Sequence, residues 1–218
     1  ADELFGGYNK HAAELKIRKG GLTSSLVKSS GSILKTFPKS RNTKLGNKVR
    51  QLQKYSEGMS LDFKERYWKW AGLPNENILM KGQKKYQERK NEILKYINED
   101  FNSVLHSDVK LVLENDMLVK VDRMSMANSL EVRVPFLDHR IVDFAFSLPS
   151  EFKIDSRQRK KILKDAFRKE LPEEILYRSK KGFEVPLLKW FRSELRSMIT
   201  DDLLNERFVK EQNLFDNS

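Results

Sequence analysis

A chain of 218 residues, 39% hydrophobic and 33% charged, can close one large domain or two small ones beneath a strongly ionic surface. It has no cysteine, which excludes a disulfide framework, a thiolate metal site and a cysteine nucleophile, and no apolar run approaches the ~20 residues of a membrane span. The net charge of +11 suits either a polyanionic partner or a lysine-rich solvated surface on helices, and the spread of lysines from Lys10 to Lys210 favours the second.

The amino end, ADELFGGY, has helical spacing at once, with Leu4, Phe5, Tyr8, Ala12 and Leu15 on one face. Asp2 and Glu3 then sit where negative charge suits a helix dipole, and Ala1-Asp2-Glu3 lacks the basic start of a signal peptide. Gly20-Gly21 stops this helix, and Ser24 can cap a second that runs to about Phe37. Residues 39–57 are basic and polar, with weak helical character. Ser60 opens another helix, SLDFKERYWKWAG, ended by Gly72 and Pro74. Residues 83–99 predict a charged helix with Ile93, Leu94 and Ile97 inside.

The clearest pattern runs from Val109 to Asn128. Leu113, Met117, Val121, Met124 and Met126 follow a long helix, with Asp116, Lys120, Asp122 and Arg123 interleaved. The next stretch, LEVRVPFLDHRIVDFAFSLP, places Glu131, Arg133 and Asp138 in a run that reads as core. Ionised groups are rarely buried alone, so these charges either partner one another or face a pocket. Val134-Pro135 forces an extended bend, and Asp138 can cap a helix with Ile141, Phe144, Ala145 and Leu148 on one face. Further on, Ser156 can cap a helix over 157–170, and Pro172 starts a short one reaching Tyr177. RSKKGFEVP is a loop, and Leu188, Phe191, Leu195, Met198 and Ile199 make one more amphipathic helix. No segment shows strand alternation, so the class is mainly α, a helical bundle with long loops.

Simple catalytic signatures are absent. His11, His106 and His139 are too far apart in sequence for an H-x-x-x-H metal pair, and there is no GxSxG or GxxxxGK[ST]. Gly6-Gly7 reads as a point of close packing.

DELFGGY, KVDRMSMANSLEVRVPFLDHRIVDFAFSLP, KKILKDAF, LPEEILYRSKKGFEVP and KWF occur in that order. Together they closely resemble the carboxy-terminal synthetase domain of glutamine-dependent asparagine synthetases and their amidotransferase relatives. The likeness is specific over residues 1–17 and about 109–192, and loose between 18 and 108. It implies that residues 1–218 are the helical carboxy-terminal part of an α/β adenine-nucleotide α-hydrolase-like synthetase domain, truncated at both ends. Most of the sheet, the SGGxDS phosphate loop and the amino-terminal glutaminase domain would lie upstream. A fragment of this kind is expected to be inactive alone, and to leave faces such as Leu4, Phe5 and Tyr8 bare where the sheet would pack.

The function implied is a cytoplasmic carbon–nitrogen ligase. It would activate the aspartate side-chain carboxylate with MgATP as an acyl-adenylate, which ammonia released from glutamine then attacks. A relative amidating a sugar, a peptide or an antibiotic precursor is the alternative. A basic nucleic-acid-binding module is a third reading, and its sole candidate segment, KSRNTKLGNKVRQLQK, lacks an aromatic. By resemblance, Asp2 would help hold magnesium pyrophosphate, and Lys180 would stabilise charge on the adenylate or the tetrahedral intermediate. Glu131 and Arg133 would lie at the floor of the carboxylate pocket, with Lys120 near it; a buried network with Asp122 and Arg123 is the structural alternative. The expected partners are these small molecules, the glutaminase domain and a second copy in a homodimer, with no nucleic acid and no membrane.

Overall fold

The computed structural model describes residues 1–20, 44–72, 83–178 and 185–213. The helix expected from Ser24, and the loop residues Lys180 and Lys181, lie outside the described residues. The chain divides into two compact units, Ala1–Gly72 with Asn91–Lys169, and Leu73–Lys90 with Glu170–Ser218. Among the described residues there is no strand, only an isolated antiparallel bridge between Ile154 and Arg159.

Helix α1 covers Asn9–Lys19, starting later than its spacing predicts. Gly6 adopts φ 69°, a left-handed conformation, so the residues before it form turns and Asp2 and Glu3 precede the helix. Leu4 and Phe5 are buried against Ala145, which corrects the expectation of a bare face. Gly20 ends α1 as expected, its N–H bonding Ile17 O at 3.0 Å. Helix α2 (Lys44–Met59) fills the basic segment. Helix α3 (Phe63–Ala71) is capped by Asp62 and not Ser60: the carboxylate accepts from the Lys64 and Glu65 N–H groups at 2.7 and 3.0 Å.

Helix α4 (Gln83–Leu94) begins in the second unit and ends in the first. Ile93 is buried at its end, as is Ile97 just beyond it. Helix α5 (Phe101–Asp108), capped by Asp100, escaped the sequence reading. It continues directly into a π-helical segment, Val109–Met117, and then α6 (Leu118–Met126). Leu113 is buried while Val121, Met124 and Met126, placed on the same predicted stripe, are exposed, and α6 buries no residue on any face.

Val134 is extended (φ −109°, ψ 103°) before the single 3₁₀ turn Pro135–Leu137, as the proline requires. Asp138 caps α7 (His139–Ser147), accepting from the Arg140 N–H at 2.9 Å. Two apolar clusters meet at Phe146. One holds Leu15, Phe101, Leu105 and Ile154; the other holds Leu4, Phe5 and Ala145, with Val142 and Ile162 against it. After the short α8 (Ser150–Lys153), Asp155 folds the chain back by accepting from the Arg157 and Gln158 N–H groups. This turn replaces the helix expected from Ser156, and α9 starts only after Lys160, over Lys161–Ala166.

In the second unit, α10 (Glu173–Tyr177) follows Pro172 as expected. The single amphipathic helix predicted from Leu188 is instead split at Ser193 into α11 (Leu187–Arg192) and a π segment, Met198–Leu203. Helix α12 (Glu206–Gln212), capped by Asn205, follows.

Candidate active site

Asp2 stands in the turns before α1, with its Oδ1 2.7 Å from Lys160 Nζ. Lys160 is held there by a left-handed backbone (φ 54°), and its N–H donates to Phe5 O at 3.2 Å. The two glycines make this approach possible. A Cβ on Gly7 would overlap Asp2 Oδ1, and one on Gly6 would press on Ile154 at 3.2 Å. The close-packing role read from Gly6-Gly7 is therefore the observed one. Arg159 completes the corner, donating to Gly7 O at 3.2 Å and to Asn9 Oδ1. Burial first, and then the cations of Arg159 and Lys160, lower the Lys164 pKa. Asp2 thus pairs with Lys160, with the cations of Arg159 and Lys164 close to that lysine, and such a group of cations attracts phosphate oxygens. Among the described residues no group of three or more His, Asp or Glu could hold a metal ion.

Glu131 and Arg133 lie on one face of the extended loop, as period-two spacing predicts, and pair with each other at 2.5 Å. They are not core: their side chains are 69% and 88% exposed. Asp122 and Arg123 are exposed on α6, so the buried network is not formed. A cavity of about 390 Å³ beside the loop is lined by Val132 and Val134, on the alternate face, together with Leu118, Val121 and Asp122. Lys120 is exposed on α6, its Nζ 3.5 Å from Met117 Sδ. Asp138 pairs with Arg140 at 2.8 Å, and that side chain holds its pKa down at about 2.

The strongest polar constellation was not legible as such. Asp108, fully buried at the end of α5, accepts from His11 Nε2 at 2.6 Å, Lys10 Nζ at 2.6 Å and Tyr67 Oη at 2.8 Å. His11 Nδ1 accepts from the Tyr8 N–H at 3.3 Å, so Nε2 carries the proton it gives to Asp108. Burial acts against the Asp108 carboxylate, but the His11 hydrogen bond and the Lys10 charge outweigh it and lower its pKa. Burial, then the Asp108 charge, raises the Tyr67 phenol well above its ordinary value. Beside this set, Arg66 grips Glu14 with two bonds of 2.6 and 3.0 Å, and Arg18 adds a third at 2.8 Å. Only the i,i+4 spacing of Glu14 and Arg18 was visible in the sequence.

The family model described as asparagine synthase matches residues 1–218. The chain belongs to the asparagine synthase family. Similar curated proteins include asparagine synthetase [glutamine-hydrolyzing] 1 of Bacillus subtilis, 31% identical over 208 residues, covering 91% of this chain and 32% of that protein. Asparagine synthetase [glutamine-hydrolyzing] 3 of the same organism is 31% identical over 184 residues, covering 84% of this chain and 25% of the relative. Asparagine synthetase [glutamine-hydrolyzing] of Gallus gallus is 39% identical over 104 residues, covering 43% of this chain and 18% of the relative. The chain thus spans about a third or less of the length of these relatives. No solved structure matches it. In this chain, Asp2 belongs to a packed corner, Glu131, Arg133 and Lys120 to an open surface, and Lys180 lies outside the described residues.

Proposed function

We propose that this chain carries part of an ATP-dependent ligase that amidates the aspartate side-chain carboxylate through an acyl-adenylate. Ammonia would come from glutamine at a glutaminase domain of the complete protein. The observation that carries this reading is the Asp2–Lys160 corner within a family match over residues 1–218. A polyphosphate bears several negative charges, and Lys160, Arg159 and Lys164 are gathered at this corner to meet them. The donor set does not make a protein-only metal cage, but a single hard carboxylate beside phosphate oxygens suits magnesium. Asp2 would hold that ion, which neutralises phosphate charge when bound.

Lys180, in the RSKKGFEVP loop, would oppose the negative charge that develops on the reacting acyl group. Arg133 presents an exposed guanidinium suited to a substrate carboxylate, with Glu131 at its side to orient it or to meet an amine. Lys120 adds a further cation on the neighbouring helix.

The test compares Lys180→Ala and Lys181→Ala in the complete protein, assayed for pyrophosphate release and asparagine formation. Lys180→Ala should lower kcat about 10²–10³-fold with the melting temperature unchanged, whereas Lys181→Ala should cost far less. Equal damage by the two variants, or full activity of Lys180→Ala, would overturn the assignment.

A further inference from the structure

The basic segment that begins α2 gains in three dimensions what it lacks in sequence. The faces of α1 and α2, with the end of α3, enclose a groove of about 630 Å³, the size of a small-ligand site. Lys10, Lys16, Lys48, Arg50 and Lys54 line it, and among the described residues no carboxylate does. Lys10 is already committed to Asp108 at 2.6 Å, which leaves four cations to set the field. Tyr55 and Trp70 supply the missing aromatic surface. Lys16 Nζ lies 5.8 Å from the Tyr55 ring centroid, and Trp70 is pinned by its Nε1–H bond to Lys54 O at 3.3 Å and by its packing on Gly58.

A second observation points the same way. Arg50 Nε and Tyr55 Oη are withdrawn from solvent with no hydrogen-bond partner. Buried donors are rarely left unmatched, because each forfeits its bonds to water. An anionic oxygen in the groove wall would supply the acceptor. Cations, unmatched donors and flat aromatic rings together select an anion that also carries a planar ring.

We propose that this groove binds a nucleotide, with phosphates on Lys48, Arg50 and Lys54 and the base against Tyr55 or Trp70. Base–aromatic stacking and phosphate–cation contacts are independent contributions, so they can be removed separately. Asp2 and Lys160 take no part in this contact. The proposal does not rest on the ligase reading above.

The experiment is calorimetric titration of the 218-residue chain with ADP, adenosine and tripolyphosphate, with circular dichroism of every variant. ADP should bind more tightly than either half-ligand. The exposed double change Lys48→Glu/Lys54→Glu should weaken ADP at least tenfold, and so should Lys16→Glu with Lys54→Glu. Trp70→Leu should weaken ADP while leaving tripolyphosphate within about twofold, whereas Tyr55→Leu, which removes a ring and a donor together, should weaken both. Two results overturn the proposal: no ADP binding at millimolar concentration, or binding indifferent to the charge reversals. Tripolyphosphate binding as tightly as ADP overturns the nucleotide assignment, and a single-stranded oligonucleotide binding more tightly than ADP overturns it in favour of a nucleic-acid groove.

Discussion

Asp108 and Glu131 are carboxylates of the same compact unit in opposite surroundings. Asp108 is fully buried with three donors converging from α1 and α3, while Glu131 meets one guanidinium at the surface. A buried carboxylate that loses its partners faces a desolvation penalty of several kcal/mol, so its geometry is fixed by the fold. An exposed pair is worth little in itself and can exchange its partner for a ligand at little cost. The difference separates charge that builds the molecule from charge available for recognition.

The largest effect that can break this comparison is Asp108→Ala. It leaves Lys10, His11 and Tyr67 without their acceptor and should cost about 3–5 kcal/mol in urea unfolding. A loss similar to that of a surface change would place Asp108 with Glu131. Its folded pKa is depressed, so its contribution is present above the unfolded value near ~3.9 and is lost as pH falls through the folded value. Next comes Gly7→Ala, whose methyl would overlap Asp2; the strain should cost ~1–3 kcal/mol and displace the Lys160 pair.

Lys153 sharpens the contrast from the cationic side. It is fully buried, with Nζ 2.7 Å from Asn102 Oδ1 and 4.9 Å from the Phe146 ring centroid, and burial lowers its pKa to about 8. The folded state releases this proton before the unfolded state, so stability should rise as pH goes from about 8 toward ~10.4. The gain should be on the order of 3 kcal/mol, and Lys153→Met should abolish it in unfolding curves taken across that range. Smallest is Arg133→Ala, which should move stability by under ~0.5 kcal/mol while raising the KM for the carboxylate substrate in the complete protein. A large loss of stability would mean that the loop pair belongs with the structural charges.

Local signals carried well from sequence to structure. Asp138 as a cap, Gly20 as a stop, Pro172 before a short helix and the extended residue before Pro135 each depend on one or two neighbours, and each is observed. Signals that needed distant partners did not carry. Nothing local to His11 announces Asp108, and Tyr67 reads as one more aromatic in an amphipathic helix. The Glu131 stretch misled because its apolar composition suggested burial, whereas its neighbours leave it open. Asp62 displaced Ser60 as a cap because its carboxylate reaches two N–H groups. The family motifs named Asp2 and Lys180, but a motif gives order along the chain and not the company a side chain keeps.

The π segment Val109–Met117 also acts as a phase setting. Each residue of an α-helix turns the chain by about 100°, so removing one residue from this stretch would restore regular winding and swing everything after it by roughly that angle. The direction in which Lys120 and the Glu131–Arg133 loop point is therefore held by a residue count, a discrete quantity that substitutions leave untouched and a single deletion resets. Lineages could change where this surface looks in one genetic step, without altering a side chain on it.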